Sequence, residues 1–171
     1  MNKSIKDIEE ISKIYFLPID SLKPSEQHDP KWAKRLTDKI RKNLIWKSPL
    51  LIERKNRIIM DGHHRHQSAL NLGIKFVPCL LLSYENQFLE LSSWRFESKL
   101  NKHDIINAGL SGNLLPKKCS RHKLLLNLVT INIPITTLLY INKEQDECIN
   151  RISIANCFYM KSEFTRKKRN V

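Results

Sequence analysis

Long hydrophobic runs are missing from this chain. The longest apolar stretches, such as Leu80-Leu81-Leu82 and Leu124-Leu125-Leu126, are far shorter than the roughly 20 residues a membrane-spanning helix needs. They read as core segments. The first residues, Met1-Asn2-Lys3-Ser4, lead into a polar stretch with acidic residues. They lack the charged-then-apolar layout of a secretory signal, and a cytoplasmic location is expected. The four cysteines, Cys79, Cys119, Cys148 and Cys157, form no Cys-x-x-Cys pair, so no zinc site is signalled. In the cytosol they would stay reduced. Cys79 follows Pro78 in an apolar run and reads as core. Cys119 stands in a polar segment beside Ser120, Arg121 and His122 and reads as a spectator rather than a nucleophile. Internal repeats, low-complexity segments and long linkers are also absent, which argues against a second independent domain. No cluster of carboxylates marks the two-metal site of a nuclease.

Positive charge is abundant. With 30 Lys and Arg against 17 Asp and Glu, the 171-residue chain carries a formal net charge of +13. Such a balance suggests polyanionic partners: nucleotides, nucleic acid or an anionic surface. The charge is spread, with concentrations over 31–42 and in the tail around Arg166-Lys167-Lys168-Arg169. A solvated helix face and a frayed end account for both. Hydrophobic residues make up 41%, which suffices for a core of ordinary size.

Hydrophobic periodicity and turn formers divide the chain. Residues 5–14 suggest a short amphipathic helix or a loose leader. Residues 15–19 read as a strand in which Pro18 suits an edge, followed by a turn-rich loop over 20–30. Trp32, Leu36 and Ile40 form a helical stripe within 32–43. Residues 50–53 and 57–60 read as strands joined by a tip at Lys55-Asn56-Arg57. A helix from about His64 to Leu72 stops at Gly73, and 76–82 is a further strand. Beyond residue 83 the pattern weakens. Residues 87–94 suit strand or helix, and 103–109 suggest a short helix closed by Gly109. Residues 111–122 read as a polar loop. Residues 124–140, apolar and rich in β-branched side chains around Pro134, predict one or two strands, and 142–171 a helical extension with a basic tail.

The most informative segment is Ile58-Ile59-Met60-Asp61-Gly62-His63-His64-Arg65. It predicts a buried strand, an abrupt turn and a helix start. A helix N-terminus offers free N–H groups and the positive end of its dipole, and His63, His64 and Arg65 add side chains suited to phosphate. Gly62 permits a positive φ or close approach of a ligand. A carboxylate among such groups points to a metal ion or a proton acceptor. Asp61 also suits a plain helix cap.

The order strand, loop with Glu26, helix, two strands, Asp61-Gly62-His63-His64-Arg65, helix and Pro78 strand resembles the ParB/sulfiredoxin superfamily. This implies an α+β fold, a ParB N-terminal/sulfiredoxin-like domain with a small mixed sheet and flanking helices, plus a C-terminal extension. His63 stands where sulfiredoxins carry their reactive cysteine, so their chemistry is not expected. Within the superfamily the chain looks most like the ParB-like free serine kinases. Three segments carry that resemblance: Leu22-Lys23-Pro24-Ser25-Glu26, the Asp61 turn, and Ala108-Gly109-Leu110-Ser111-Gly112 through Pro116-Lys117-Lys118-Cys119-Ser120-Arg121-His122. Cys119 stands where the loop is expected to carry Thr or Ser.

The resemblance implies transfer of a phosphoryl group from ADP or ATP to the hydroxyl of L-serine, with Mg²⁺ as cofactor. Glu26 would be the catalytic base, and Asp61 would contact Mg²⁺ or orient the nucleophile. Gly62, His63, His64 and Arg65 with Asp61 would bind nucleotide. Ser120, Arg121 and His122 would contact substrate and phosphate, and Trp94 would wall the serine site. The expected organisation is a leader over 1–14, a nucleotide-binding domain over 15–83, a substrate and phosphate-loop region over 84–141, and the extension over 142–171. The high charge keeps open a ParB-like, DNA-associated regulator, whose expected feature is a helix-turn-helix after the nucleotide domain.

Overall fold

The computed structural model describes residues 3–94, 100–126 and 130–141. Arg95, Cys148, Cys157 and the helical extension expected over 142–171 lie outside the described residues. The architecture is mixed α+β. Its centre is a four-stranded sheet in the order β1-β5-β3-β4, built from β1 (Ile14–Pro18), β3 (Leu50–Glu53), β4 (Ile59–Asp61) and β5 (Phe76–Leu82). β5 runs antiparallel to β1 and parallel to β3, and β3 is antiparallel to β4. Every residue of β3 and β5 is buried, as expected of a parallel pair covered on both faces. Pro18 lies on the edge strand, as its missing N–H requires.

Alternation along the strands splits the core in two. Leu50, Ile52, Val77, Cys79 and Leu81 join a large cluster with Ile40 of α2 (Pro30–Asn43), Ala69 of α3 (His63–Leu72) and Leu138 of α5 (Ile135–Tyr140). Leu51, Met60, Leu80 and Leu82 face the other way. There they meet Ile11 of α1 (Lys3–Ser12), Leu89 of β6 (Leu89–Ser93) and Leu124 of β7 (Ser120–Leu124). β2 (Ile45–Trp46) pairs with β8 (Ile133–Pro134), and β6 pairs with β7, both antiparallel. α4 (Lys102–Ser111) begins with a capping box of Asn101 and Asp104, which satisfies N–H groups at its start.

Several sequence expectations are revised. In the predicted stripe of α2, Ala33, Thr37 and Ile40 form the buried face and Trp32 is 57% exposed. Small side chains win because α2 packs closely on α3: the hydroxyls of Thr37 and Ser68 both donate to Ala33 O. α4 ends at Gly112, not Gly109. Gly109 sits inside the helix, where a Cβ would come within 2.8 Å of Ile58. Residues 87–94 resolve into β6. Ser120, Arg121 and His122 belong to β7 rather than to a loop. Leu125 and Leu126 are exposed. Among its described residues the β-branched run yields a two-residue strand before α5, because Pro134 lacks the donor that would continue the pairing.

Candidate active site

Two devices shape the turn after β4. The β3–β4 register shifts, so that Leu51 faces Asp61 and Ile52 faces Ile59 with Met60 between them. Such a bulge re-aims the residues beyond it. Gly62 then adopts φ 105° as N-cap of α3. A Cβ there would meet Leu50 and the Arg65 guanidinium at 3.2 Å, so only glycine fits without strain. Asp61 is not the cap. It stays at the strand end, half-exposed, and its Oδ2 accepts from Arg65 Nη2 at 2.6 Å. The second arm of that guanidinium donates to Pro49 O. Arg65 therefore ties β3, β4 and α3 together, and its charge is already paired.

Glu26 reaches the same place from a loop stitched to the edge of the sheet. Lys23 N–H donates to Arg57 O and Ile59 N–H to Lys23 O, both at 2.9 Å. Further on, Leu115 N–H donates to Ser25 O and Gln27 N–H to Leu115 O, again at 2.9 Å. The segment thus continues the sheet beyond β4 and carries Glu26 to the mouth of α3. Glu26 is only 8% exposed. Its Oε1 accepts from both the N–H and the hydroxyl of Ser120, while Oε2 makes no hydrogen bond among the described residues. One oxygen is anchored by Ser120 and the other is not.

The two histidines of the turn face this loop. His63 Nε2 accepts the N–H groups of Ser25 and Glu26, each at 3.1 Å. His64 Nε2 accepts the N–H of Asp29 at 3.1 Å. Both rings are therefore neutral acceptors with the proton on Nδ1. Burial pushes His63 down to about 3, helped by the other histidines around it. Burial also lowers His64, with His28 next in effect. Through Nε2 both side chains hold the loop, and the turn also presents its backbone N–H groups and the positive end of the helix dipole.

A cleft of about 270 Å³ opens here, lined by Glu26, Asp61, the turn, Trp32, Leu36, Trp94, Lys118 and Ser120. A second cleft of about 450 Å³ adjoins it, lined by Asp29, Trp32, His64, Lys117 and Lys118. Trp32 and Lys118 border both, and neither was singled out from the sequence. Lys118 makes no ion pair among the described residues and holds φ 58°, a conformation rare outside glycine and concentrated at functional sites. Lys117, in contrast, is paired with Asp29 at 2.9 Å. That hydrogen bond and the N–H of Trp32 hold the Asp29 carboxyl down to about 2.

Arg121 and His122 point to opposite sides of β7. The Arg121 guanidinium stacks over the Trp94 ring at 4.5 Å, a cation–π contact. His122 packs inward, with Nε2 3.1 Å from the Tyr84 hydroxyl. Burial lowers His122 to about 4 against the opposing pull of Asp61. Of the sequence-predicted residues, Glu26, Asp61, Gly62, His63, His64, Arg65, Trp94 and Ser120 line one cleft. Arg121 reaches it through Trp94, and His122 lies beneath. Cys119 is buried.

No known family profile matches the chain. Sequence relatives do. A ParB-like protein of Sulfolobus acidocaldarius is 30% identical over 47 residues, 28% of this chain and 24% of that protein. An ATP-dependent L-serine kinase of Staphylothermus marinus is 29% identical over 82 residues, 46% of this chain and 32% of the relative. The ADP-dependent L-serine kinase SerK of Thermococcus kodakarensis is 29% identical over 93 residues, 51% and 38% respectively. The matched segments thus span about a quarter to two fifths of these relatives. Among solved structures, the chain resembles a free serine kinase in complex with AMP, with TM-score 0.64, 16% identity and coverage of 73% of this chain and 93% of that one. It also resembles SbnI with a C-terminal truncation from Staphylococcus aureus, with TM-score 0.67, 13% identity and coverage of 91% and 99%. The fold is ParB/sulfiredoxin-like, and the relatives fit that superfamily. The ParB-like turn is Asp61-Gly62-His63-His64-Arg65 here, and the segment after it forms a strand and a six-residue helix over 133–140. None of the relatives or solved structures above lends support to a DNA partner.

Proposed function

We propose that this protein is a kinase of free L-serine that transfers a phosphoryl group from ADP or ATP to the serine hydroxyl. The observation that carries the reading is Glu26: a buried carboxylate, fixed through one oxygen by Ser120, beside the N-terminus of α3. Serine's hydroxyl needs a base to take its proton, and the transferred group needs its charge neutralised. Glu26 would accept the proton as the serine oxygen bonds to the terminal phosphorus. The bond from that phosphorus to the nucleotide breaks, leaving AMP from ADP or ADP from ATP. Relatives named as ATP-dependent and ADP-dependent L-serine kinases support the reading.

In this reading the phosphates rest on the N–H groups of the Gly62 turn, with Lys118 as the unpaired cation beside them. Trp32 offers an exposed ring face for the nucleotide base. Trp94, braced by Arg121, walls the acceptor. Among the described residues no group of three or more His, Cys, Asp or Glu could hold a metal ion. A Mg²⁺ ion carried by phosphates needs only one or two protein carboxylates, and Asp61 fits as one: it is half-exposed and engaged by Arg65 through Oδ2 alone. When bound, the ion would neutralise charge on the phosphate oxygens.

The test is incubation of the protein with L-serine, Mg²⁺ and either ADP or ATP, with O-phosphoserine read by mass spectrometry. Product is expected with one donor or both, and Glu26→Gln should lower turnover by about 10²–10⁴-fold with nucleotide affinity kept. Absence of product with both donors, or full activity in Glu26→Gln, sinks the reading.

A further inference from the structure

The Glu26 carboxylate is anchored at its tip by Ser120, but its main chain is held by something else. Ser25 and Glu26 present two consecutive N–H groups to one atom, Nε2 of His63, at 3.1 Å each. The Ser25 hydroxyl lies 3.3 Å from the same nitrogen and donates to Ile59 O at 2.9 Å. Ser25 is fully buried and Glu26 nearly so. Buried N–H groups need an acceptor, and among the described residues these two find theirs in this ring. His63 is also the first residue of α3, so one side chain joins the helix end that would receive phosphate to the residue that would take the proton.

We propose that His63 is a positioning residue: its ring, acting as a pure hydrogen-bond acceptor, sets where Glu26 stands relative to the N-terminus of α3. The proposal rests on the reading of Glu26 as the base. The ring does not touch the reacting groups in this role; it fixes the distance between the proton acceptor and the phosphoryl donor. In-line transfer is sensitive to that distance, and a displacement of about 1 Å can cost about 10²-fold in rate. The same logic explains why a histidine, and not a stronger cation, stands at this point of the turn. Lys and Arg only donate and would leave both N–H groups without an acceptor. Glutamine, whose amide oxygen accepts, is the nearest substitute, and phenylalanine keeps the ring without the acceptor.

The experiment compares the full-length wild type with His63→Phe and His63→Gln by steady-state kinetics and by amide hydrogen exchange. His63→Phe is expected to lower kcat by about 10²-fold with KM for nucleotide changed less than about threefold, and His63→Gln to restore most of kcat. The amides of Ser25 and Glu26 should exchange faster in His63→Phe, while those of β5 keep their protection. In the wild type, ¹⁵N spectra should show Nδ1 protonated and Nε2 bare. Unchanged exchange at Ser25 and Glu26, a protonated Nε2, or Phe and Gln variants equal in kcat would overturn the proposal. If the wild type makes no phosphoserine, the kinase reading falls, while exchange and ring protonation still decide whether the clamp exists. If His63→Phe does not fold, His63→Gln and the wild-type spectra decide it.

Discussion

At the scale of single residues, the cleft separates groups that build the site from groups free to meet a ligand. Arg65, the most obvious phosphate ligand in the sequence, is engaged by Pro49 and Asp61. His63 and His64 are neutral acceptors for loop N–H groups. Among the described residues that line the cleft, the cation without an ion pair is Lys118, which stands in the left-handed region in the loop before β7. Lys118→Ala is therefore expected to weaken nucleotide binding by about tenfold, the scale of one charge-assisted contact, and more strongly at low salt, where screening is weakest. Isothermal titration with ADP at two salt concentrations checks this. Affinity unchanged at both would remove Lys118 from the site. Arg65→Ala should act differently, because it cuts a tie between β3 and α3: it should lower thermal stability along with affinity.

At the scale of elements, α4 approaches the chain just before β4 where Gly109 meets Ile58. Gly109 makes that contact possible, since a Cβ would lie 2.8 Å and 3.0 Å from the two Cγ atoms of Ile58. Ile58 is fully buried, so Gly109→Ala should destabilise the protein by about 1–3 kcal/mol, the usual cost of overpacking, despite alanine's better helix propensity. Urea unfolding measures it, and a more stable variant would show that α4 yields. Of the elements up to β5, β1, α2, β3, β4, α3 and β5 were legible in the sequence because they combine a clear period with a clear stop, such as the apolar runs of β3 and β5, the Gly73 end of α3 and the charged face of α2, while β2 was read as a turn. What escaped were features set by tertiary contact. Trp32 sits at a position that reads as part of an apolar stripe, and only the close approach of α2 to α3 through Ala33 and Ser68 excludes it from the core. Ser120 to Leu124 alternates inward and outward, but its polarity hid the strand. Asp61 and the turn stood out because helix-terminus chemistry is local, whereas Glu26 stood out through the resemblance and its place in a loop. The acceptor role of the histidines was not, because their partners lie more than 30 residues away.

At the scale of the whole molecule, burying histidines in a chain of net charge +13 links stability to pH. Burial holds His63 at about 3 and His122 at about 4, against about 6.5 in an unfolded chain. The folded pKa values are depressed, so below pH 6.5 the unfolded chain takes up protons that the folded one refuses. The stabilisation from neutral burial is complete above about pH 6.5 and is lost as pH falls from there toward 4 and 3. Each histidine contributes a slope of up to about 1.4 kcal/mol per pH unit within that window. Carboxylates such as Asp29, held at about 2, add their loss only below about pH 4. The interval from about pH 6.5 to 5 therefore isolates the histidines, where growing self-repulsion of the cationic chain acts in the same direction but without their steep slope. Urea midpoints should be flat from about pH 8 to 7 and then fall steadily toward pH 5. His122→Phe, which removes one of several histidines that burial lowers, should make that slope shallower without abolishing it, and a midpoint independent of pH down to 5 would mean that these rings accept protons in the folded state and that none is held neutral by its burial.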